Sequence, residues 1–463
     1  MIKKVLLLNP PGKKRYIRDY YCSKVSKAWY IYPPVDLLIL SAVLYGHFEI
    51  KVTDAIADNL SVDKCLKEID SFCPDAVIFL TGAVSRSEDF EFIRRVKNKK
   101  NILTVASGDF LMEKGDVFLK SEYSLDAIIL DFTSNDIVAY LNGDLRQPVQ
   151  SMIYRLNGDL FYPAVHKQEG EFRIAIPRHE LFLNKRYSYP FVRRNPFATV
   201  LTDYGCLFKC PFCIMASLGY KYRPVDNILE EIAYLHSLGI NEIYFADQTF
   251  GAVRKRTLQL CQEFASEFPK LGWVCFSRVD ITDEEMLKAM KEGGCHTIIY
   301  GIESGSEEIL NKYKGIRKER VKETIDLCRK HKIRVVGTFI IGLPGETEDT
   351  VKETIKFSKE CNLEYVSINM AVPRSNTRLR QEAIEKNLCL SHQDEMDQSG
   401  TYSVMGTGYL SKDDVLMWHR YAVKQFYLRP KYLLKRLFAI KSCREFRTNI
   451  LEGYSLLKAV FKS

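Results

Sequence analysis

Short apolar runs separated by segments of helical length recur through the first 150 residues, and this alternation restricts the fold more than any other feature. The runs are rich in Val and Ile, and each ends at a turn or a polar residue. They lie at 4–8, 49–53, 75–80, 102–106 and 126–130. Strands that alternate with helices in this way predict an α/β domain with a doubly wound, Rossmann-like parallel sheet over 1–150. Ligands of such sheets bind beyond the carboxyl ends of the strands, although a purely structural domain would have the same pattern.

A second series of strands and helices runs from residue 197 to about 385. Its apolar runs lie at 197–201, 242–246, 273–276, 297–300, 334–341 and 365–369. Six successive β/α units predict a partial (β/α)6 barrel, whose site is expected at the carboxyl ends of its strands. Residues 151–196 contain Asn-Gly and several prolines and are expected to form a connector. Asp226 is predicted to cap one helix, and Thr282 with Glu285 a capping box at another.

Three cysteines follow the first strand of the second series. Cys206, Cys210 and Cys213 form a CxxxCxxC motif, and clustered thiolates suit an iron–sulfur cluster or zinc. A structural zinc site is usually closed by four protein ligands, and a cluster held by four thiolates needs one more cysteine. No further cysteine lies close by, and His236 or Cys261 could reach the site only from predicted helices far along the chain. The motif therefore predicts a metal site with one position left for another molecule.

This motif, placed after a strand and with an aromatic residue before the last cysteine, resembles that of the radical S-adenosylmethionine (SAM) superfamily. The resemblance implies that the cysteines hold a 4Fe–4S cluster and that SAM fills the open iron through its amino and carboxylate groups. The strand ends that follow resemble those of the superfamily in the same order. They imply that Asp247 approaches the amino group of SAM, that Glu303 contacts its ribose or methionine moiety and that Lys314 pairs with its carboxylate. Thr338 and Gly342 are expected to lie against the nucleoside, and Arg278 to face the barrel mouth. Any one of these residues alone could equally be a solvated charge or part of an ordinary turn.

The order of elements in 1–150 is similar to that of the cobalamin-binding domain in the class that fuses this domain to a radical SAM barrel. The first strand ends in Asn-Pro-Pro and the second in Asp-Ala, as in that class. The resemblance implies cobalamin contacts at Asn9, Asp54, Thr81, Ser107 and Gly108. The sequence departs from the class at three points. Ile56 replaces the histidine that binds cobalt, Ser107-Gly108 replaces Gly-Gly, and residues 131–134 lack the usual Gly-Glu-Gly-Glu.

Composition is ordinary for a globular protein, with 46% apolar and 27% charged residues. Thirteen cysteines without a secretory segment favour a reducing compartment. The apolar run near the N-terminus is too short for a signal peptide, and no uncharged run approaches the roughly 18 residues that span a bilayer. We therefore expect a cytoplasmic protein.

The segment 386–463 is predicted to be helical and carries most of the net charge. From residue 424 onwards the chain has ten basic and two acidic residues, a net charge of +8 out of the total of +9. The rest of the chain is therefore nearly neutral, and we do not expect it to bind nucleic acid. Residues 425–430 resemble the subgroup with the anaerobic magnesium-protoporphyrin ester cyclase and hopanoid-modifying enzymes. After Pro430 one helical face is apolar and the opposite face basic; the apolar positions are Leu433, Leu434, Leu437, Phe438 and Ile440. Such a helix suits an anionic membrane surface, and a lid packed on the barrel or a contact with tRNA are the alternatives.

These features predict a radical SAM enzyme that generates a 5′-deoxyadenosyl radical, abstracts hydrogen from an unactivated carbon and, with cobalamin, methylates a hydrophobic substrate. The resemblance also implies a flavodoxin- or ferredoxin-type electron donor. One alternative is a cobalamin-free radical SAM enzyme that forms rings, oxidises or couples carbons. A tRNA-modifying methylthiotransferase is a further alternative, but it should carry a second set of clustered cysteines. A non-enzymatic zinc-binding protein is the alternative from a different class.

Overall fold

The computed structural model describes residues 2–19, 30–99, 101–145, 149–156, 158–163, 168–389, 397, 402–439 and 453. The described residues form two compact units. The first contains the described residues up to 187, except residue 30, together with 218–239; the second contains residues 30, 188–217 and those from 240 onwards. Elements are numbered along the chain.

The first unit is built on a seven-stranded sheet in the order β2-β1-β3-β4-β5-β6-β7. Its strands are β1 Lys4–Asn9, β2 Glu49–Asp54, β3 Ala76–Leu80, β4 Leu103–Ser107, β5 Ala127–Ile129, β6 Met152–Leu156 and β7 Asp159–Phe161. Strands β1 to β5 are parallel, whereas β6 and β7 extend the sheet antiparallel. The order β2-β1-β3-β4-β5 is that of a doubly wound sheet, whose topological switch point lies between β1 and β3.

Helices connect the parallel strands of the first unit, and two further short strands pair beside its last helix. The helices are α1 Val35–Leu44, α2 Val62–Phe72, α3 Arg86–Lys99, α4 Leu111–Ser121, α5 Asp136–Asn142 and α6 Val225–Ser237, with a 3₁₀ turn at His179–Phe182. Strand β8, Gln168–Glu171, pairs in parallel with β11, Gly219–Tyr222. The Val- and Ile-rich β3 is buried at every position, as expected for a strand covered on both faces.

The second unit contains a parallel six-stranded sheet in the order β16-β15-β14-β13-β12-β9. Its strands are β9 Ala198–Val200, β12 Glu242–Phe245, β13 Gly272–Ser277, β14 Cys295–Glu303, β15 Arg334–Ile341 and β16 Tyr365–Met370, and the short β10, Asp203–Gly205, follows β9. The helices are α7 Arg254–Glu267, α8 Glu284–Glu292, α9 Glu307–Lys314, α10 Lys318–Lys330, α11 Glu348–Glu360, α12 Arg378–Glu385, α13 Lys412–Tyr427 and α14 Pro430–Ala439, with a 3₁₀ turn at Ile214–Ser217. The predicted partial (β/α)6 barrel is confirmed.

Helix α13 covers the edge strand β16. The Tyr427 hydroxyl donates to the Val366 carbonyl at 2.6 Å, and His419 Nε2 donates to the Ile368 carbonyl at 3.0 Å. An edge strand otherwise presents unpaired backbone groups, so these side chains complete the sheet. The prediction of a helical C-terminal region therefore holds for α13 and α14, while Ile440 and most later residues lie outside the described part of the chain. No helix among the described residues is long and apolar enough to cross a membrane.

Both predicted helix caps are wrong. Helix α6 begins after Pro224, and Asp226 lies within its first turn. Helix α8 is capped by Asp283, whose carboxylate accepts from the Met286 amide, and not by Thr282. The Thr282 hydroxyl instead donates to the Arg278 carbonyl at 2.8 Å. It also accepts from the Tyr300 hydroxyl at 3.0 Å, a buried tertiary contact that the local pattern does not show.

Candidate active site at the cysteine loop

The three cysteines lie in one loop at the carboxyl end of the barrel sheet. The loop begins after Gly205, whose φ of 78° favours glycine, and ends at the 3₁₀ turn that starts at Ile214. All three thiols are half-buried. Burial raises the pKa of the Cys206 thiol, while a contact of 3.5 Å with the Thr249 hydroxyl opposes that shift. The loop therefore brings three cysteines together, and none of them is fully buried.

Asp247 fixes the start of this loop from the end of β12. Its buried carboxylate accepts hydrogen bonds from the Thr202 amide and hydroxyl, both at 2.6 Å, and from the Asp203 amide at 2.9 Å. Burial raises the pKa of Asp247, and these three bonds counteract the rise. The buried Arg256 of α7 pairs with the Asp203 carboxylate and donates to the Thr202 carbonyl at 3.1 Å. Sequence reasoning found Asp247 but missed Arg256, because an arginine in a helix usually faces solvent.

Arg278 brings a positive charge to the loop from the end of β13. Its Nη1 lies 3.2 Å from Cys210 Sγ, and its other nitrogens bind the Asp280 carboxylate at 3.0 and 2.8 Å. The guanidinium also lies 4.2 Å from the centre of the Phe208 ring. Burial lowers the pKa of Arg278, but Asp280 and Cys210 outweigh it and leave the pKa above its ordinary value. Arg278 is therefore a charged partner for a thiolate at position 210.

Lys314 and Glu303 form a buried ion pair near the same cysteine. The ammonium of Lys314 lies 2.8 Å from Glu303 Oε1, and both side chains are buried. Burial lowers the pKa of Lys314, and the opposing effects of Glu303 and Cys210 raise it beyond its ordinary value. A Cβ on Gly301 would come within 2.3 Å of the Glu303 carboxylate and 2.6 Å of the Lys314 ammonium. The glycine thus makes the space in which the pair forms.

Glu303 also has a strained backbone. Its φ is 70°, and the pairing of β14 with β15 shifts register between Gly301 and Glu303. A non-glycine residue in this region costs on the order of 1–3 kcal/mol, and such residues cluster at functional sites.

The remaining predicted SAM residues lie on or just after β15. Thr338 is half-buried, and its hydroxyl lies 3.5 Å from the Tyr300 carbonyl. Gly342 follows the strand with a φ of 98°, and a Cβ there would meet Val415 of α13 at 2.7 Å. Its amide and that of Leu343 donate to Glu346 Oε2 at 2.6 and 3.0 Å. Burial raises the pKa of Glu346 to about 7.

The donor set fits an iron–sulfur cluster. Cluster iron is held by thiolates, and Arg278 and Lys314 place two buried positive charges beside Cys210 that would offset thiolate charge. A cubane takes one thiolate per iron, so its sulfur ligands need not converge on a single point. Within the described residues no group of three or more His, Cys, Asp or Glu side chains is placed to hold a single metal ion.

A second set of predicted residues lies at the carboxyl edge of the first unit's sheet, at or beside the switch point. Asn9 Nδ2 donates to Asp54 Oδ1 at 2.8 Å, and the Tyr187 hydroxyl donates to Asp54 Oδ2 at 2.9 Å. Burial raises the pKa of Asp54. The buried Arg18, which sequence reasoning missed, donates to Asn9 Oδ1 at 2.8 Å.

Arg18 also joins this edge to the end of β3. It forms a fully buried ion pair with Asp89 at 2.6 Å, and the Thr81 hydroxyl donates to Asp89 at 3.0 Å. The Ser107 hydroxyl donates to Asp36 at 2.6 Å, and burial raises the pKa of Asp36 to about 7. The structure thus brings the predicted polar side chains to one edge, where they bond to neighbouring side chains.

Gly108 and Ile56 complete that edge. A Cβ on Gly108 would lie 2.2 Å from the Thr81 carbonyl, so the approach of the two strand ends requires glycine there. Ile56 is buried and offers no ligand to a metal. The edge lies at a topological switch point, where doubly wound sheets bind their ligands, and its polar side chains are satisfied by one another, so it suits a corrinoid held by shape without a histidine ligand at position 56.

Comparison with known proteins agrees with this geometry. The family model described as the radical SAM superfamily matches residues 200–358. An uncharacterized methyltransferase of Pyrococcus horikoshii is 30% identical over 449 residues, which cover 94% of this chain and 95% of that protein. The chain therefore belongs to the radical SAM superfamily, and this membership implies a 4Fe–4S cluster and SAM.

Two further proteins are similar to this chain over both units. The anaerobic magnesium-protoporphyrin IX monomethyl ester cyclase of Rubrivivax gelatinosus is 25% identical over 77% of this chain and 67% of its own length. The radical SAM methyltransferase TsrM of Kitasatospora setae, solved with cobalamin and a [4Fe-4S] cluster, has a TM-score of 0.72 at 15% identity. The match covers 98% of this chain and 99% of TsrM. The predicted combination of a cobalamin-binding-type fold with a radical SAM barrel is confirmed as a fold.

Proposed function

We propose that this protein is a cobalamin-dependent radical SAM methyltransferase that acts on an unactivated carbon of a hydrophobic small molecule. The observation that carries the proposal is the half-buried cysteine loop with Arg278 and Lys314 beside Cys210. When bound, the cluster and SAM supply a 5′-deoxyadenosyl radical for hydrogen abstraction, and cobalamin supplies the methyl group. Cofactors of this kind carry the difficult chemistry, and the chain binds, orients and shields them.

Cys206, Cys210 and Cys213 are the proposed cluster ligands, and the residues around them hold the loop in place. Asp247 and Arg256 fix the segment that enters the loop. The Leu379 amide donates to the Pro211 carbonyl at 2.9 Å and so ties α12 to the loop. A loop restrained from both sides keeps its thiols in one arrangement, which lowers the entropy lost on cluster binding.

The proposed SAM contacts follow from charge and position at the barrel mouth. Lys314 is proposed to bind the SAM carboxylate, with Glu303 holding the ammonium in place. Arg278 is proposed to contact SAM at the barrel mouth, beside the cluster. Thr338 and Gly342 are proposed to lie along the nucleoside of SAM. Asp247 is proposed to act on the SAM amino group through the loop that it positions, because both carboxylate oxygens already accept hydrogen bonds. Asn9, Asp54, Thr81, Ser107 and Gly108 are proposed to line the corrinoid.

The proposal assigns cobalamin to 1–150, a connector to 151–196, the barrel to 197–385 and a basic helical region to 386–463. A small flavodoxin- or ferredoxin-type protein is the proposed electron donor. Helix α14 is proposed to contact a membrane surface, because its side chains Leu433, Leu434 and Phe438 are exposed while Arg436 bonds to the Tyr365 hydroxyl at 2.6 Å. Exposed apolar side chains beside basic ones suit an anionic interface.

Anaerobic reconstitution of the full-length chain with iron, sulfide and hydroxocobalamin tests the proposal. We expect iron–sulfur absorption, cobalamin that stays bound through gel filtration, and 5′-deoxyadenosine when SAM and reductant are added. Deoxyadenosine without retained cobalamin would favour the cobalamin-free alternative. A protein that binds zinc and forms no deoxyadenosine would contradict the radical mechanism.

A further inference from the structure

A cavity of about 470 Å³ opens at the amino-terminal ends of β13 and β14, at the opposite end of the barrel strands from the cysteine loop. Its wall contains Arg193, Arg194, Lys291 and His296, with Gly272 and Gly294 between them. The proposed radical chemistry makes no use of this end of the barrel. Its composition is strongly basic.

Among the described residues, no carboxylate bonds to the side chains of Arg193 and Lys291. The Arg193 guanidinium makes no hydrogen bond or ion pair with any residue in the described part of the chain, and the Lys291 ammonium reaches only the Lys332 carbonyl, at 3.4 Å. Burial and the neighbouring Arg334 lower the pKa of Arg193, while burial and Arg193 lower the pKa of Lys291. Arg193 is exposed and Lys291 half-buried, and both side chains line the same cavity, so their like charges repel each other there.

The carboxylate nearest to them is already occupied. Glu242, fully buried at the start of β12, accepts from the Arg193 amide at 2.6 Å, from His296 Nε2 at 2.8 Å and from Arg194 Nε at 3.1 Å. Burial lowers the pKa of His296 to about 4, so the imidazole is neutral near pH 7. Glu242 also acts on Arg193 through space and partly opposes the fall in its pKa, but the carboxylate's hydrogen bonds go to the Arg193 amide, His296 and Arg194 and not to the Arg193 guanidinium or the Lys291 ammonium.

Gly272 keeps this arrangement open. A Cβ at this position would come within 2.6 Å of Arg194 Nη2 and 2.8 Å of Glu242 Oε2. Arg194 is held further by the carbonyls of Asn241 and Lys270, both at 2.8 Å. Three hydrogen bonds thus restrain Arg194 beside the cavity, while the side-chain donors of Arg193 remain open to a ligand and Lys291 makes one long bond.

We propose that this cavity binds a phosphoryl group through Arg193 and Lys291. A guanidinium fork and a lysine ammonium are the two side chains that bind phosphate oxygens most effectively. A doubly charged phosphate would neutralise the two unpaired cations and relieve their repulsion. The volume of about 470 Å³ also leaves room for the rest of a phosphorylated molecule.

Two sources of such a group suit this position. One is a soluble phosphorylated compound, and the other is a phospholipid headgroup. Helix α14 lies at the same end of the sheet, because the Tyr432 hydroxyl bonds to the Glu364 carbonyl just before β16. Leu433, Leu434 and Phe438 of this helix are exposed and offer apolar surface to a lipid at that end of the sheet.

Calorimetric titration of the full-length, reconstituted protein with pyrophosphate tests the soluble source. Retention on phosphatidylglycerol vesicles, with pyrophosphate as competitor, tests the lipid source. We expect the double variant Arg193→Gln/Lys291→Gln to raise the dissociation constant about tenfold or more in whichever arm binds, since each loses a charge-assisted hydrogen bond. The control is Lys255→Gln/Lys288→Gln, which removes two exposed charges from α7 and α8 and should leave binding unchanged.

The unfolding temperature distinguishes a ligand site from a structural cluster. Without ligand, the double variant should unfold at the same temperature as the wild type or higher, because repulsion between the two cations is removed. Equal binding by the double variant, or binding in neither arm, would overturn the proposal. A lower unfolding temperature with unchanged binding would do so as well.

Discussion

The mixed sheet of the first unit and the parallel sheet of the barrel both carry polar residues at the carboxyl ends of their parallel strands, and the two edges are built differently. In the first unit Arg18, Asn9, Asp54 and Asp89 bond to one another, and the Arg18–Asp89 pair has no exposed side-chain surface. At the barrel edge the thiols are half-buried, and Arg278 contacts one of them directly.

The two edges show two roles of buried charged groups, one structural and one in ligand binding. A closed network of charges stabilises the position of strand ends but offers few free donors to a ligand. Cations beside thiols instead favour a negatively charged group and so prepare a site for chemistry. We infer that the first edge supports a ligand by shape, whereas the barrel edge binds its ligands by charge.

The largest expected effect is at the thiols. Cys210→Ala with Cys213→Ala should abolish cluster binding and deoxyadenosine formation, because two of three protein ligands are lost. Iron content, visible absorption and product formation measure this. Cys73→Ala, at an exposed cysteine of the first unit, is the control and should change none of them. A double variant that still forms deoxyadenosine would contradict the assignment of the cluster.

Arg18→Met tests the closed network. It leaves the Asp89 carboxylate buried without its partner, and removing one member of a buried pair costs about 3–5 kcal/mol. Denaturant unfolding should show this loss, with iron content unchanged in the folded protein. Arg95→Met breaks an exposed pair with Asp63 and should cost about 0–1 kcal/mol. Similar losses in both variants would show that the network is no more important than a surface pair.

Arg278→Gln tests the charge at the barrel edge. Loss of the cation beside Cys210 should make cluster reduction harder and slow deoxyadenosine formation about tenfold, since a hydrogen bond to a charged group is lost. Redox titration followed by electron paramagnetic resonance measures the potential. Arg254→Gln, which removes an arginine paired with Asp283 and Glu285, is the control. An unchanged potential in Arg278→Gln would mean that Arg278 acts only through packing.

The last expected effect concerns pH at the carboxyl edge of the first unit's sheet. The pKa of Asp36 is raised to about 7 by burial, so between its unfolded value near 4 and pH 7 the folded state retains a proton that the unfolded state releases. Stability should therefore fall as pH rises across this window. Asp36→Asn should flatten that slope while still accepting from Ser107. Unfolding temperatures at pH 5 and pH 8 measure the effect, and the exposed Asp63→Asn should leave the slope unchanged.

The sequence by itself determined the two series of strands, the edge at which each site lies and the cysteine loop. Apolar periodicity reports burial of consecutive residues, and parallel strands bring their carboxyl ends to one edge. This periodicity predicts the ends of β1, β2 and β12, and therefore the positions of Asn9, Asp54 and Asp247 at or just after them. The two predicted helix caps are wrong although caps are local features. The Thr282 hydroxyl bonds to the Arg278 carbonyl and to the Tyr300 hydroxyl instead, and α6 begins at Val225 after Pro224, one residue before Asp226.

Only the tertiary structure decided which charges meet. Arg18 pairs with Asp89, 71 positions away, and Arg256 with Asp203, 53 positions away. The residues around each arginine in the sequence do not distinguish it from an arginine exposed to solvent. The sequence likewise does not show that the Arg193 and Lys291 side chains have no carboxylate bonded to them among the described residues. This follows from the tertiary structure, in which Glu242 binds the Arg193 amide and the Arg194 side chain instead. A buried charge is defined by its surroundings, and those surroundings come from elements far apart in the sequence.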